Sequence, residues 1–392
     1  MMRWIVLLVL AFGWGASYLQ RVAMSVSAPV LMRELNLTPV QMGWIFSAFV
    51  FGLMAGYVLM TVITALWGTR WGLVVAFAGA SIAALASGLA STQTGMIIAR
   101  AVLGVFTGGL LPAAVQSVRE WFPARLRPFA IGLIFATGQA AAALTPPLIA
   151  FVNQATAWRT VLIATGAPTL IAAGLCVAVW QSPPREKSRS LSKAAFASTG
   201  MLALGLFFAA PITYFTLTWL PTYLRDRLDL GFDRVGSARV LAMVAGICGA
   251  LLVGLVAWIM MRGGISPSKA RAVLLTACGL LLPPVAFSGG IANWEFVILL
   301  LTVSSMACQG WSTLLYSAVA DTLPARSVAI GAAIGGLMVN LSGTLSPMAF
   351  GYVIQSSGYD LVFRGLGATA ALALLLVALL AWLVHQEPVK SS

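Results

Sequence analysis

The sequence predicts an all-α integral membrane protein: twelve transmembrane helices arranged as two six-helix halves. Composition is the first observation behind this, since the 392 residues are 60% hydrophobic and only 8% charged, with a mean hydropathy of +0.96. Soluble domains do not have this composition, and repeated apolar runs of 20 or more residues indicate bilayer-crossing helices. The second is an internal repeat. Glu120, Pro123, Ala124, Arg125, Gln139, Thr145 and Pro146 recur 201 residues later as Asp321, Pro324, Ala325, Arg326, Asn340, Ser346 and Pro347. Ala130-Ile131-Gly132 and Ala329-Ile330-Gly331 match with a two-residue slip. Repeats of six spans in the same orientation suggest halves related by an axis along the membrane normal, with a solute site near mid-membrane.

The spans are expected at 4–31, 39–65, 70–90, 93–119, 126–152, 158–181, 195–224, 234–261, 270–288, 294–320, 327–355 and 360–385. The first begins close to Met1-Met2-Arg3, yet its apolar run continues past Gly15 and is too long for the core of a cleavable leader. Ser182 to Ser190, with Pro183, Pro184 and four charged residues, is the longest polar connection. It divides the chain into an N-terminal half (1–181), a linker (182–194) and a C-terminal half (195–392). Gly52/Gly56, Gly104/Gly108 and Gly331/Gly335 have the spacing that lets membrane helices approach closely. Pro146-Pro147, Pro211, Pro221, Pro283-Pro284 and Pro347 are expected to kink their helices.

The net charge of +13 falls mostly in short loops, where Lys and Arg set topology. One side carries Arg70, Arg119, Arg125, Arg127, Arg185, Lys187, Arg189, Lys193, Arg262, Lys269, Arg271 and Arg326. The other side has fewer basic residues, partly offset by Glu34, Asp226, Asp229, Asp233 and Asp360. The richer side is expected to be cytoplasmic, with both termini and the linker. This distribution excludes a nucleic-acid partner and makes the lipid bilayer the main one; a bacterial inner membrane and a monomer are expected.

Two arginines stand inside apolar runs. Arg21 lies about ten residues from the end of the first run, or roughly 15 Å at helical rise. Arg100 lies within the fourth. No Asp or Glu occupies a membrane-core position that could neutralise either one. A cation at that depth costs several kcal/mol and normally faces a bundle interior or watery cavity with a partner. A solute can be that partner, so the residues point to a transporter of anions. A guanidinium fork matches a carboxylate bidentately, as a lysine does not. Tyr18 is three residues from Arg21, and Ser25 four, both on its helical face. Gln139 and Asn340 are mid-span and repeat-related.

The residues also resemble a family. Tyr18-Leu19-Gln20-Arg21, Gln41 to Phe49, Arg100 to Gly104, Pro112, Trp121-Phe122-Pro123 and Gly138-Gln139 carry the resemblance in the first half. Tyr214, Thr218-Trp219-Leu220-Pro221-Thr222-Tyr223-Leu224, Asn340 and Pro347 carry it in the second. The chain resembles the major facilitator superfamily, and within it the anion:cation symporters of sugar acids, phthalates and related organic anions. The resemblance implies that Gln139, Tyr214, Gln309, Tyr316 and Asn340 line the solute cavity. Three departures stand out. Gln20 and Thr107 replace acids common in that family, and Thr64 to Arg70 keeps only a glycine and one arginine of the usual loop. The missing acids are the usual proton-coupling groups, so exchange or uniport is favoured over proton symport, and the coupling ion or counter-anion stays open.

Glu120 and Asp321, beside Arg125 and Arg326, are expected to form an ion-pair latch at the inner mouth. Arg239 is either a third anion-attracting group or an interfacial residue paired with Asp233 or Asp229. Enzyme chemistry and cofactors are not expected: the chain has one histidine, His385, four scattered cysteines and no Gly-x4-Gly-Lys-Ser/Thr loop. The alternative reading is a siderophore- or drug-type permease in which the arginines are structural and the solute is large or uncharged.

Overall fold

The structure is a computed structural model that describes residues 2–153, 158–180, 193–228, 232–291, 293–324 and 327–386. Most of the predicted linker, 181–192, lies outside the described residues, as do Asp229 and Arg326. The helices are α1 (Met2–Glu34), α2 (Pro39–Trp67), α3 (Thr69–Leu89), α4 (Gln93–Gly108), α5 (Leu110–Trp121), α6 (Arg127–Asn153), α7 (Trp158–Ala164) and α8 (Gly166–Val179). They continue as α9 (Lys193–Thr218), α10 (Leu220–Leu228), α11 (Phe232–Arg262), α12 (Pro267–Leu281), α13 (Trp294–Thr322), α14 (Val328–Ser357) and α15 (Tyr359–Gln386). Among the described residues, 12 helical segments are long and apolar enough to cross a membrane, and they fall on the twelve predicted spans.

Local chemistry sets where these helices begin. Thr38 closes a capping box on α2: its hydroxyl accepts from the Gln41 amide, while the Gln41 side chain accepts from the Thr38 amide. Thr92, Ser266 and Asn293 cap α4, α12 and α13 in the same sense, and Pro39 and Pro267 occupy first helical positions where no amide is needed. Among the described residues four spans are interrupted. The fourth breaks at Gly109, the sixth at Thr165, the seventh at Trp219 just before Pro221, and the ninth passes at Pro283 into a 3-10 segment, Pro283–Gly290. Pro146, Pro147, Pro211 and Pro347 instead lie inside continuous helices. Trp219 donates its indole N–H to the Pro347 carbonyl at 3.2 Å.

The chain forms two compact units. The first comprises Met1–Phe122, Leu133–Arg189 and Pro324–Gly336; the second comprises Pro123–Gly132, Ser190–Leu323 and Leu337–Ser392. In the first, Met24, Leu31, Ile45, Met96, Ile149, Trp158 and Leu162 join α1, α2, α4, α6 and α7 in one apolar cluster. In the second, Phe215 and Tyr223 each place their ring centroids 4.9 Å from that of Phe363, edge to face. Many large apolar side chains face outward, among them Leu66, Ile82, Leu144, Phe287 and Met348. Such a coat is unfavourable against water and natural against acyl chains.

Candidate functional site

In the first unit, α2 and α4 touch backbone to backbone along the predicted small-residue seam. A Cβ at Gly52 would meet the Ala101 carbonyl, and one at Gly56 the Val105 carbonyl. On the facing helix, a Cβ at Gly104 would meet the Phe49 carbonyl and one at Gly108 the Leu53 carbonyl. Without side chains at these positions the helices close to contact distance, which lays Phe49 of α2 one helical turn from Arg100 of α4.

Both sequence-predicted arginines converge on that phenylalanine. The Arg100 guanidinium carbon lies 4.9 Å from the Phe49 ring centroid, and that of Arg21, on α1, lies 5.6 Å from it. Arg100 is 2% exposed and Phe49 5%; Arg21 is half-buried. Arg100 makes no ion pair among the described residues. Its one hydrogen bond is a long one, from Nη1 to the Gln20 carbonyl at 3.5 Å, and its buried Nε has no partner. Two like charges thus share one apolar ring, and Arg100 keeps a donor unused.

Gln20, beside Arg21, ties the middle of α1 to its neighbours. Its amide donates to the Thr165 carbonyl at 3.2 Å and to Thr169 Oγ1 at 3.0 Å, at the break between α7 and α8. Its Oε1 is buried without a partner. Thr107 turns its hydroxyl back onto the Leu103 and Gly104 carbonyls of its own helix, and Ser25 donates to the Val22 carbonyl. Tyr18 stacks 5.7 Å from Trp14, whose ring also lies 5.8 Å from Phe135. Gly138 sits against Trp14 and Tyr18, and Gln139 beside it is half-buried.

The second unit holds the remaining predicted lining residues. Gly343 of α14 leaves room for the ring and hydroxyl of Tyr214 on α9. Asn340 is buried at 7% and Tyr316 at 4%, whereas Gln309 is half-buried. Residues from separate stretches also meet at Asp321, in the last turn of α13. It forms ion pairs with Arg127, at the start of α6, and with Arg271, in the first turn of α12. All three side chains are about 8% exposed.

Of the two arginines expected beside this latch, Arg125 is exposed and Arg326 lies outside the described residues. The 3-10 turn Ala124–Leu126 rotates the chain so that Arg125 faces outward and Arg127 inward. In the first unit Glu120 accepts from Thr69 Oγ1 at 2.6 Å and from Gln116 Nε2 at 3.1 Å. Arg70, which the repeat offset relates to Arg271, donates to the Val177 carbonyl at 2.6 Å. Phe49, Arg127 and Arg271 carry geometry that the sequence assigned no role. Phe49 stood inside a quoted motif, and the other two among loop cations.

Among the described residues no group of three or more His, Cys, Asp or Glu could hold a metal. The four cysteines are free.

Comparison with known proteins agrees with this architecture. The sequence profile described as Major Facilitator Superfamily matches residues 4–292. A probable sulfoacetate transporter, SauU, of Cupriavidus necator is 27% identical over 94% of this chain and 93% of its own. A D-galactonate transporter of Escherichia coli is 25% identical over 96% of this chain and 95% of its own. The crystal structure of FucP, a major facilitator transporter in its outward conformation, superposes with a TM-score of 0.75 at 15% identity, covering 99% of this chain and 100% of that one. The twelve apolar helices and the profile match make this an integral, multi-pass membrane protein rather than an enzyme, and the chain belongs to the Major Facilitator Superfamily.

Proposed function

We propose that the chain is a secondary transporter of small organic anions, working by alternating access of its two six-helix halves (1–181 and 195–392, joined by 182–194). Arg21 and Arg100 hold the carboxylate, and Tyr18, Gln139, Tyr214, Gln309, Tyr316 and Asn340 read the rest of the solute. The observation that carries this reading is the pair of guanidinium groups over one buried ring, with Arg100 keeping an unpartnered Nε. A buried polar group without a partner costs free energy, which a ligand oxygen recovers on binding. The names of the relatives, transporters of sulfoacetate and D-galactonate, support an acidic solute of similar size.

Every Asp and Glu among the described residues falls in the first or last turn of its helix, and the one histidine of the sequence is His385. Proton coupling through a core carboxylate is therefore not part of this proposal; exchange or uniport is. The cytoplasmic latch is assigned to Glu120 and Asp321, with Arg127 and Arg271 joining Arg125 and Arg326 as its cations. Both termini lie in the cytoplasm and the protein acts as a monomer in the inner membrane.

A thermal-shift titration of purified protein tests the solute class. A ligand bound to the native state at a hundred times its Kd adds about 2.7 kcal/mol of stability. Sulfoacetate, D-galactonate, D-glucuronate and simple dicarboxylates are the probes, with neutral sugars of matching size as controls. Stabilisation by one or more anions and by no neutral sugar supports the proposal. Stabilisation by neutral or large apolar solutes alone contradicts it and favours a permease with structural arginines.

A further inference from the structure

Phe49 does more than fill space. Its ring lies under two cations at once, 4.9 Å from the Arg100 guanidinium carbon and 5.6 Å from that of Arg21. The three residues come from three different helices, α4, α2 and α1. The carbonyl of Phe49 is in contact with Gly104, which fixes the ring relative to Arg100 through the backbone and not through side-chain packing alone. Phe49 is 5% exposed, so the interaction is made away from water, where attraction of a cation to a ring face is strongest.

We infer that Phe49 is a positioning residue for anion recognition: its π face holds Arg21 and Arg100 together in the absence of solute and so presets the distance between the two forks. This rests on the anion reading of the arginine pair. The chemistry is specific. The two guanidinium groups, one buried and one half-buried, repel each other, and among the described residues Arg100 has no carboxylate to offset that repulsion. An aromatic face supplies negative electrostatic potential with no formal charge, so it gathers the cations without neutralising them. A carboxylate at this position would gather them equally well, but it would occupy the site as a permanent competitor of the solute. Contact with a ring engages the flat side of a guanidinium and leaves its in-plane N–H donors available. The Nε of Arg100 is one such donor without a partner. The solute then meets a pair already assembled, and less ordering has to accompany binding.

The experiment replaces Phe49 with 4-fluoro-, 3,5-difluoro- and 3,4,5-trifluorophenylalanine. This series nearly preserves the ring's size while draining its negative face. Sulfoacetate and D-galactonate are the probes, and the readout is the Kd of whichever binds the natural protein. Kd is expected to rise stepwise along the series, by about threefold or more at the trifluoro ring. Phe49→Trp should keep tight binding and Phe49→Leu should lose it. A ring that merely fills space gives a flat series, and a flat series overturns the inference. The parent reading fails separately. If Arg100→Gln abolishes binding while the series stays flat, the arginines bind the anion and Phe49 does not position them. If the natural protein binds neither probe, the inference falls together with that reading.

Discussion

Gly104 rests against the backbone carbonyl of Phe49, one helical turn from Arg100. The seam between α2 and α4 thereby connects a sequence pattern, small residues four apart, to the placement of a buried charge.

Gly104→Ala puts a methyl group into that carbonyl. Overpacking of this kind costs about 1–3 kcal/mol, and here it also displaces the ring from Arg100. Guanidinium- or detergent-induced unfolding should show the loss of stability, and anion titration a weaker Kd. An unaltered Kd in a destabilised protein would separate the seam from the site.

Gln20→Glu introduces a carboxyl beside the Arg100 contact, where the natural amide ties α1 to Thr165 and Thr169. The natural protein should bind its anion with an affinity that is flat between about pH 5.5 and 8, since the spans hold no carboxylate in their cores and no ionisation changes there. In the variant, affinity should fall as pH rises, because the ionised carboxylate competes with the solute for the arginines, and recover as pH falls. A flat profile in the variant would show that Gln20 is too far from the binding charge to matter.

Asp321→Asn strips the counter-charge from Arg127 and Arg271 together. Breaking a buried ion pair by removing one partner costs roughly 3–5 kcal/mol. The apparent melting temperature should drop well beyond that of Glu120→Gln, whose carboxylate rests on the neutral donors Thr69 and Gln116 as well as other contacts. Equal drops would contradict the unequal construction of the two repeats.

Glu34 ties the end of α1 to α7 through Arg159 and Trp158. The hydrogen bond from the Arg159 guanidinium, then that from the Trp158 indole, hold its carboxyl below the ordinary 4.5. A carboxyl with a lowered native pKa stabilises above its unfolded value, and that contribution is lost as pH falls through the lowered one. Acid-unfolding curves of the natural protein and Glu34→Gln should therefore differ near neutrality and converge at low pH. Parallel curves would remove Glu34 from the acid response.

The twelve spans were legible because hydropathy over twenty residues is a strong signal. Arg21 and Arg100 were legible because a charge in such a run is costly and conspicuous. The breaks at Gly109 and Thr165 were not, since the apolar run passes through both without a change of composition. Phe49 was hidden for a related reason: an aromatic in an apolar helix reads as packing, and only the meeting of three helices reveals two cations on its face. The contacts of Asp321 were not legible either. Arg125 and Arg127 are two residues apart, and which one points inward depends on a single 3-10 turn that hydropathy does not encode.

Uptake of radiolabelled sulfoacetate and D-galactonate into proteoliposomes, compared among the natural protein, Arg21→Ala, Arg100→Ala and Arg100→Lys, decides whether the two arginines carry the solute. The expected result is anion flux in the natural protein, none above background in either alanine variant, and at least a tenfold loss in Arg100→Lys, where charge remains but the fork is gone. Undiminished anion flux in folded Arg21→Ala and Arg100→Ala proteins would contradict it.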